Sequence, residues 1–149
     1  MKPEIRKLNL LNPLFCNRIK ADPSDYLYRE FDRQIGEMIF CFEIGETARA
    51  EFEPDRKYFP GRLVFFGNSI KNKTADSAAE PAMIPGDYLF LQKDGISTED
   101  ESAELAMDLH QECLWQRLKP ANRYFLRYVY EDNRYVTQIF WAINAEPQP

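Results

Sequence analysis

The stretch from Ile84 to Ile143 constrains the fold most, because it punctuates four consecutive elements. IPGDYLFLQKDG (Ile84 to Gly95) is an apolar, aromatic run between two glycine-containing turns, which predicts a strand over Asp87 to Lys93. Thr98 and Glu101 have the spacing of a capping box, where each side chain satisfies the other residue's free N–H. They open a predicted helix from Thr98 to Leu118, whose apolar stripe centres on Leu105, Leu109 and Cys113. Lys119-Pro120 ends it, because the residue before proline disfavours the helical region. Two aromatic strands, Arg123 to Tyr130 and Arg134 to Ile143, then flank Glu131-Asp132-Asn133. Asp and Asn suit such a turn because they tolerate left-handed backbone.

The first half carries weaker signals. Leu14 to Lys20 predicts a short strand after the break at Asn12-Pro13. Asp22 and Pro23 form a helix start, with Asp22 as N-cap and Pro23 at the first helical position. Tyr26, Leu27, Phe31, Ile35, Met38, Ile39 and Phe42 follow at spacings of three and four. That period favours one helix of about six turns ending at Gly45. The alternative is a break at Gly36, with Met38 to Ile44 as a strand. Ala48 to Glu53 alternates apolar and charged residues, as a half-buried strand does, and Arg62 to Asn68 predicts another strand. Lys71 to Pro81, polar and rich in small residues, is the candidate linker.

The halves thus share an element order, β-α-β-β, without sharing sequence. The expected fold is α+β: two pseudo-symmetric β-α-β-β modules, mainly antiparallel sheet, with two helices on one face. The chain is expected to form a single domain, with modules at about 13–70 and 82–145 joined by a linker at about 71–81. With 149 residues, a core can form without a metal or disulfide staple.

The charge balance narrows function. A net charge of −5 lacks the basic stripe that nucleic acid requires, so no direct nucleic-acid binding is expected. The three cysteines, Cys16, Cys41 and Cys113, are widely spaced, and the single histidine is His110. Structural zinc needs closer ligands, so neither metal nor cofactor is expected. Free thiols, no signal-peptide pattern and no long apolar run lead to an expectation of a cytoplasmic protein away from membranes. No catalytic residue is assigned, since no nucleophile stands in a known motif.

The second half resembles the gyrase-inhibitor-like (GyrI-like) effector-binding domain, also found behind the DNA-binding helices of MerR-type and AraC-type multidrug regulators. The residues that carry the resemblance are Ile84-Pro85-Gly86-Asp87-Tyr88, Lys93-Asp94-Gly95, and the final strand from Asn133 to Ile143. The resemblance implies two modules around a shared groove that binds a small organic ligand, in the context of transcription regulation and multidrug binding. It also implies a glutamate countercharge for cationic drugs near the start of the penultimate strand. Tyr124 stands there instead, which leaves a neutral or weakly anionic ligand open alongside a cationic one.

Strand alternation puts Tyr124, Leu126 and Tyr128 on one face and Phe125 and Arg127 on the other. Tyr and Trp suit a groove because each ring carries a polar edge. The expected ligand-binding residues are therefore Tyr88, Phe90, Tyr124, Tyr128 and Trp141. Glu51 and Glu53 are possible pocket acids. The expected function is a stand-alone domain holding a small organic ligand in an aromatic groove between the modules. The alternatives are a protein-interaction module that regulates a partner, and a small-molecule hydrolase.

Overall fold

The computed structural model describes residues 3–29, 37–44, 61–70 and 79–143. Eight strands form one antiparallel sheet: β1 (Arg6–Leu10), β2 (Leu14–Arg18), β3 (Met38–Ile44), β4 (Gly61–Ile70), β5 (Glu80–Met83), β6 (Gly86–Asp94), β7 (Pro120–Glu131) and β8 (Arg134–Ile143). Among the described residues there is one α-helix, α1 (Glu99–Trp115), and one 3-10 turn, Pro23–Asp25. The strand order is β1-β6-β8-β7-β3-β4-β2-β5.

This corrects the expected α+β fold with two helices on one face: the described residues are mostly antiparallel sheet, curled into a half-barrel, with a single α-helix among them. The second half has the expected β-α-β-β order as β6-α1-β7-β8. Its local signals hold. Thr98 and Glu101 form the capping box. Asp132 and Asn133 both take positive φ, 50° and 62°, so the chain turns between β7 and β8 in two residues, as a type I′ hairpin does.

The first half departs from expectation. Asp22 accepts from the Ser24 N–H with Pro23 behind it, but the turn that they cap is a 3-10 turn of three residues. Met38–Ile44 is strand β3, paired with β4 on one side and β7 on the other. It is buried on both faces, so it lacks the polar alternation that marks a half-exposed strand. Its spacing from Tyr26 and Leu27 fits a helical period by coincidence. Arg6–Leu10, ahead of the first predicted strand, is edge strand β1, paired to β6. Glu80 and Pro81, expected at the end of the linker, begin β5. The predicted strand Ala48 to Glu53 lies outside the described residues.

Chain connectivity forces the sheet to curl. β5 is the last strand in the order and β6 the second. In a flat sheet, six strand spacings would separate them by roughly 29 Å. Only Ile84 and Pro85 join them, a link that reaches about 10 Å. The strip is therefore rolled, and the Tyr88 hydroxyl pins the join by donating to the Ile84 carbonyl at 2.6 Å. β1 and β5 are the two edges of the strand order.

The two faces are packed differently. On the concave side, residues of both edges meet in one cluster: Leu8 and Leu10 of β1, Ala82 and Met83 of β5, with Tyr88, Phe125, Phe140, Ile39 and Cys41 between them. Only an inward-curving face lets both edges touch the same core. On the convex side, Leu105, Ala106, Leu109 and Cys113 of α1 pack on Leu89, Leu91, Leu126, Ile139 and Trp141. Each buried leucine there contributes roughly 1.5–3 kcal/mol. Thr137 ties the start of α1 to β8 by accepting from Ser97 N–H and donating to the Gly95 carbonyl. Gly67 lets β2 approach β4, since a Cβ there would lie 2.2 Å from the Asn17 carbonyl oxygen.

Candidate functional site

The register divides the five expected ligand-binding aromatics between the two faces. Leu89, not Tyr88, lies opposite Trp141, and Phe90 lies opposite Phe140. Tyr88 and Phe90 therefore face the concave side, while Trp141 faces α1. Tyr124 is paired with Trp141 and stacks on it at 4.9 Å between ring centroids. Tyr128 is fully buried beside Phe40, and its hydroxyl accepts the Tyr28 N–H at 3.0 Å. The Trp141 Nε1–H donates to the Ala121 carbonyl at 2.8 Å. Tyr124, Tyr128 and Trp141 thus come together as convex-side core. Burial raises the phenol pKa values of Tyr124 and Tyr128 well above the ordinary value. Glu51 and Glu53 lie outside the described residues.

Tyr88 and Phe90 belong to a concave face whose exposure rises along β6. Tyr88 is 2% exposed, Phe90 is partly exposed, and Gln92 is exposed. Burial pushes the Tyr88 phenol up to about 12, with its hydrogen bond to Ile84 opposing the shift. Phe90 stacks on Phe140 with centroids 5.6 Å apart and planes 15° from parallel. Two aromatic rings thus form a shelf one register step from Gln92 and Gln138, which are also paired.

Beside the shelf runs a polar network that spans the curl. Arg127 Nε donates to Ser69 Oγ at 3.3 Å, and Nη1 donates to Gln138 Oε1 at 3.0 Å. Its Nη2 forms an ion pair with Glu37 Oε2. Ser69 Oγ also donates to Glu37 Oε2 at 3.0 Å. Gln138 Nε2 donates to Gln92 Oε1 at 2.9 Å. The network joins β4, β6, β7, β8 and the residue before β3. The Arg127 side chain is 11% exposed, and a charge so buried persists only with such partners.

Alternation in the sequence did place Arg127 on the face of Phe125. What it missed was the rest of the network, because Glu37 and Ser69, which bond Arg127, and Gln92, which bonds Gln138, come from segments far apart in the chain. A charged residue inside an aromatic strand was the available signal.

Nucleophilic chemistry finds little support. Burial raises Cys16 and Cys113 to about 11 and Cys41 to about 12, which disfavours the reactive thiolate. His110 lies on the convex side with its ring 5.2 Å from Trp141, away from Ser69 on the concave side. Among the described residues, no group of three or more His, Cys, Asp or Glu could hold a metal ion, and no helix is long and apolar enough to cross a membrane. No protein-family model matches the chain, and no curated protein matches it significantly.

Proposed function

We propose that this chain is a small-molecule-binding protein without chemistry of its own, and that it holds an organic ligand on the concave face of the curled sheet. One observation carries the reading: the Phe90 ring, stacked on the buried Phe140, remains partly exposed beside hydrogen-bonding side chains on a face otherwise filled by core. Apolar surface joined to a few placed polar groups is the usual make-up of a ligand site. The GyrI-like resemblance of the stretch from Ile84 to Ile143 points to the same class of function.

A thermal-shift screen against small organic molecules tests the reading, since a ligand selective for the folded state raises the melting temperature. Compounds that stabilise the wild type are expected to lose at least tenfold in affinity with Phe90→Ala. A screen without hits, or hits indifferent to Phe90→Ala, would refute the reading.

A second reading, docking of a protein partner, is favoured by Leu114 and Trp115, which are 58% and 84% exposed. They border a hollow of about 510 Å³ at the end of α1. Recovery of one stoichiometric partner that is lost with Trp115→Ala would support it.

A further inference from the structure

The polar network has a direction, and that direction specifies a ligand chemistry. Arginine carries only donors. The side chain of Gln138 must therefore present its oxygen to Arg127 Nη1, as it does at 3.0 Å. Its amide nitrogen is then committed to Gln92, whose oxygen accepts at 2.9 Å. Neither amide can be flipped without setting donor against donor, so the chemistry of Arg127 determines both orientations. The relay runs from guanidinium to amide to amide. Among the described residues nothing accepts from its last group, the Gln92 Nε2. Gln92 is an exposed residue at the end of the row, two residues along β6 from Phe90 and on the same face. A chain of hydrogen bonds that starts at a cation polarises each link, which strengthens the final donor.

From this we infer that the ligand is a flat, apolar molecule bearing an acceptor oxygen, a carbonyl or carboxylate, which rests on Phe90 and accepts from Gln92 Nε2. This rests on the binding reading above and narrows it. A donor-only cation is disfavoured at the same place, since it would meet an N–H and not a lone pair. Arg127 and Gln138 act as positioning residues. They hold the terminal amide in one orientation before the ligand arrives, so less ordering remains to be done on binding.

Three probes separate the possibilities: acetophenone, a neutral carbonyl; benzoate, a carboxylate; and benzylammonium, a donor-only cation. Their binding is read from 1H–15N spectra, following the side-chain amide of Gln92 and the backbone amides of Phe90 and Phe140. Acetophenone or benzoate is expected to shift the Gln92 amide signals and to bind at least tenfold more tightly than benzylammonium. The stronger of the two tells which kind of oxygen is preferred. Gln92→Glu still accepts from Gln138 but presents a carboxylate outward, so it should reverse the order of the probes. Gln92→Met should weaken the better acceptor probe at least fivefold. Probes that shift Phe90 and Phe140 without preference, or with a preference unmoved by Gln92→Glu, would overturn this inference and leave the binding reading standing. If no probe shifts the concave face, and the thermal-shift screen also finds no ligand, both are overturned.

Discussion

Replacing Arg127 by methionine keeps an unbranched chain in place and removes the guanidinium that organises the concave network. Three interactions go with it: those to Ser69 and Gln138, and the ion pair to Glu37. Glu37 is left with a carboxylate that is 32% exposed. Breaking a fully buried pair costs about 3–5 kcal/mol. Water reaches Glu37 and recovers part of that, so a loss of about 2–3 kcal/mol is expected. In urea, with a slope of about 1–3 kcal/mol/M, the midpoint should fall by about 1 M or more. Glu37→Met and the double variant complete a cycle. The double variant should cost less than the sum of the singles by about 1–2 kcal/mol, because it strands neither charge. A single-variant cost below about 0.5 kcal/mol, or strict additivity, would show that the pair behaves as an exposed surface ion pair. The burial argument would then be wrong.

Other outcomes follow from single features of the fold. Gly67→Ala sets a Cβ 2.2 Å from the Asn17 carbonyl oxygen and 2.9 Å from the Arg18 Cα, so β2 must separate from β4; chemical denaturation should show a loss of about 2–4 kcal/mol. Arg117 follows the end of α1 with φ at 59°, and Leu118 N–H closes the cap on the Cys113 carbonyl at 2.8 Å. Arg117→Gly is expected to stabilise by about 0.5–1 kcal/mol, and a drop in melting temperature would contradict it. The three thiols are raised from 9.0 to about 11 or 12 in the folded chain. Their contribution to stability is complete below pH 9 and is lost as pH rises through 11 to 12, because the unfolded thiols release protons first. Urea midpoints should therefore fall steeply between those limits, and a flat profile would count against the burial of Cys41 and Cys16.

Much of the second half was legible because its signals are local. A capping box spans four residues, and a two-residue turn needs only Asp132 and Asn133 in left-handed backbone. Alternation along β7 and β8 likewise sorted Tyr124 and Tyr128 from Phe125 and Arg127, and the register bears out that sorting. The first half was less legible because β3 is flanked by β4 and β7 and buried on both faces. A strand that is apolar throughout has no period of its own to display. Seven apolar residues at helical spacing then outweighed the break at Gly36.

By itself, the sequence determined the punctuation of β6, α1, β7 and β8, and which side chains share a face on each strand. It also determined the count and spacing of the single histidine and the three cysteines. Only the tertiary structure decided which face is concave. That choice depends on β5 and β6 being joined by two residues while lying six strand positions apart in the sheet, a constraint between segments that no local pattern records. The same curl brings Glu37, Ser69, Gln92, Arg127 and Gln138 together, and buries Tyr124, Tyr128 and Trp141 against α1 instead of leaving them to a ligand.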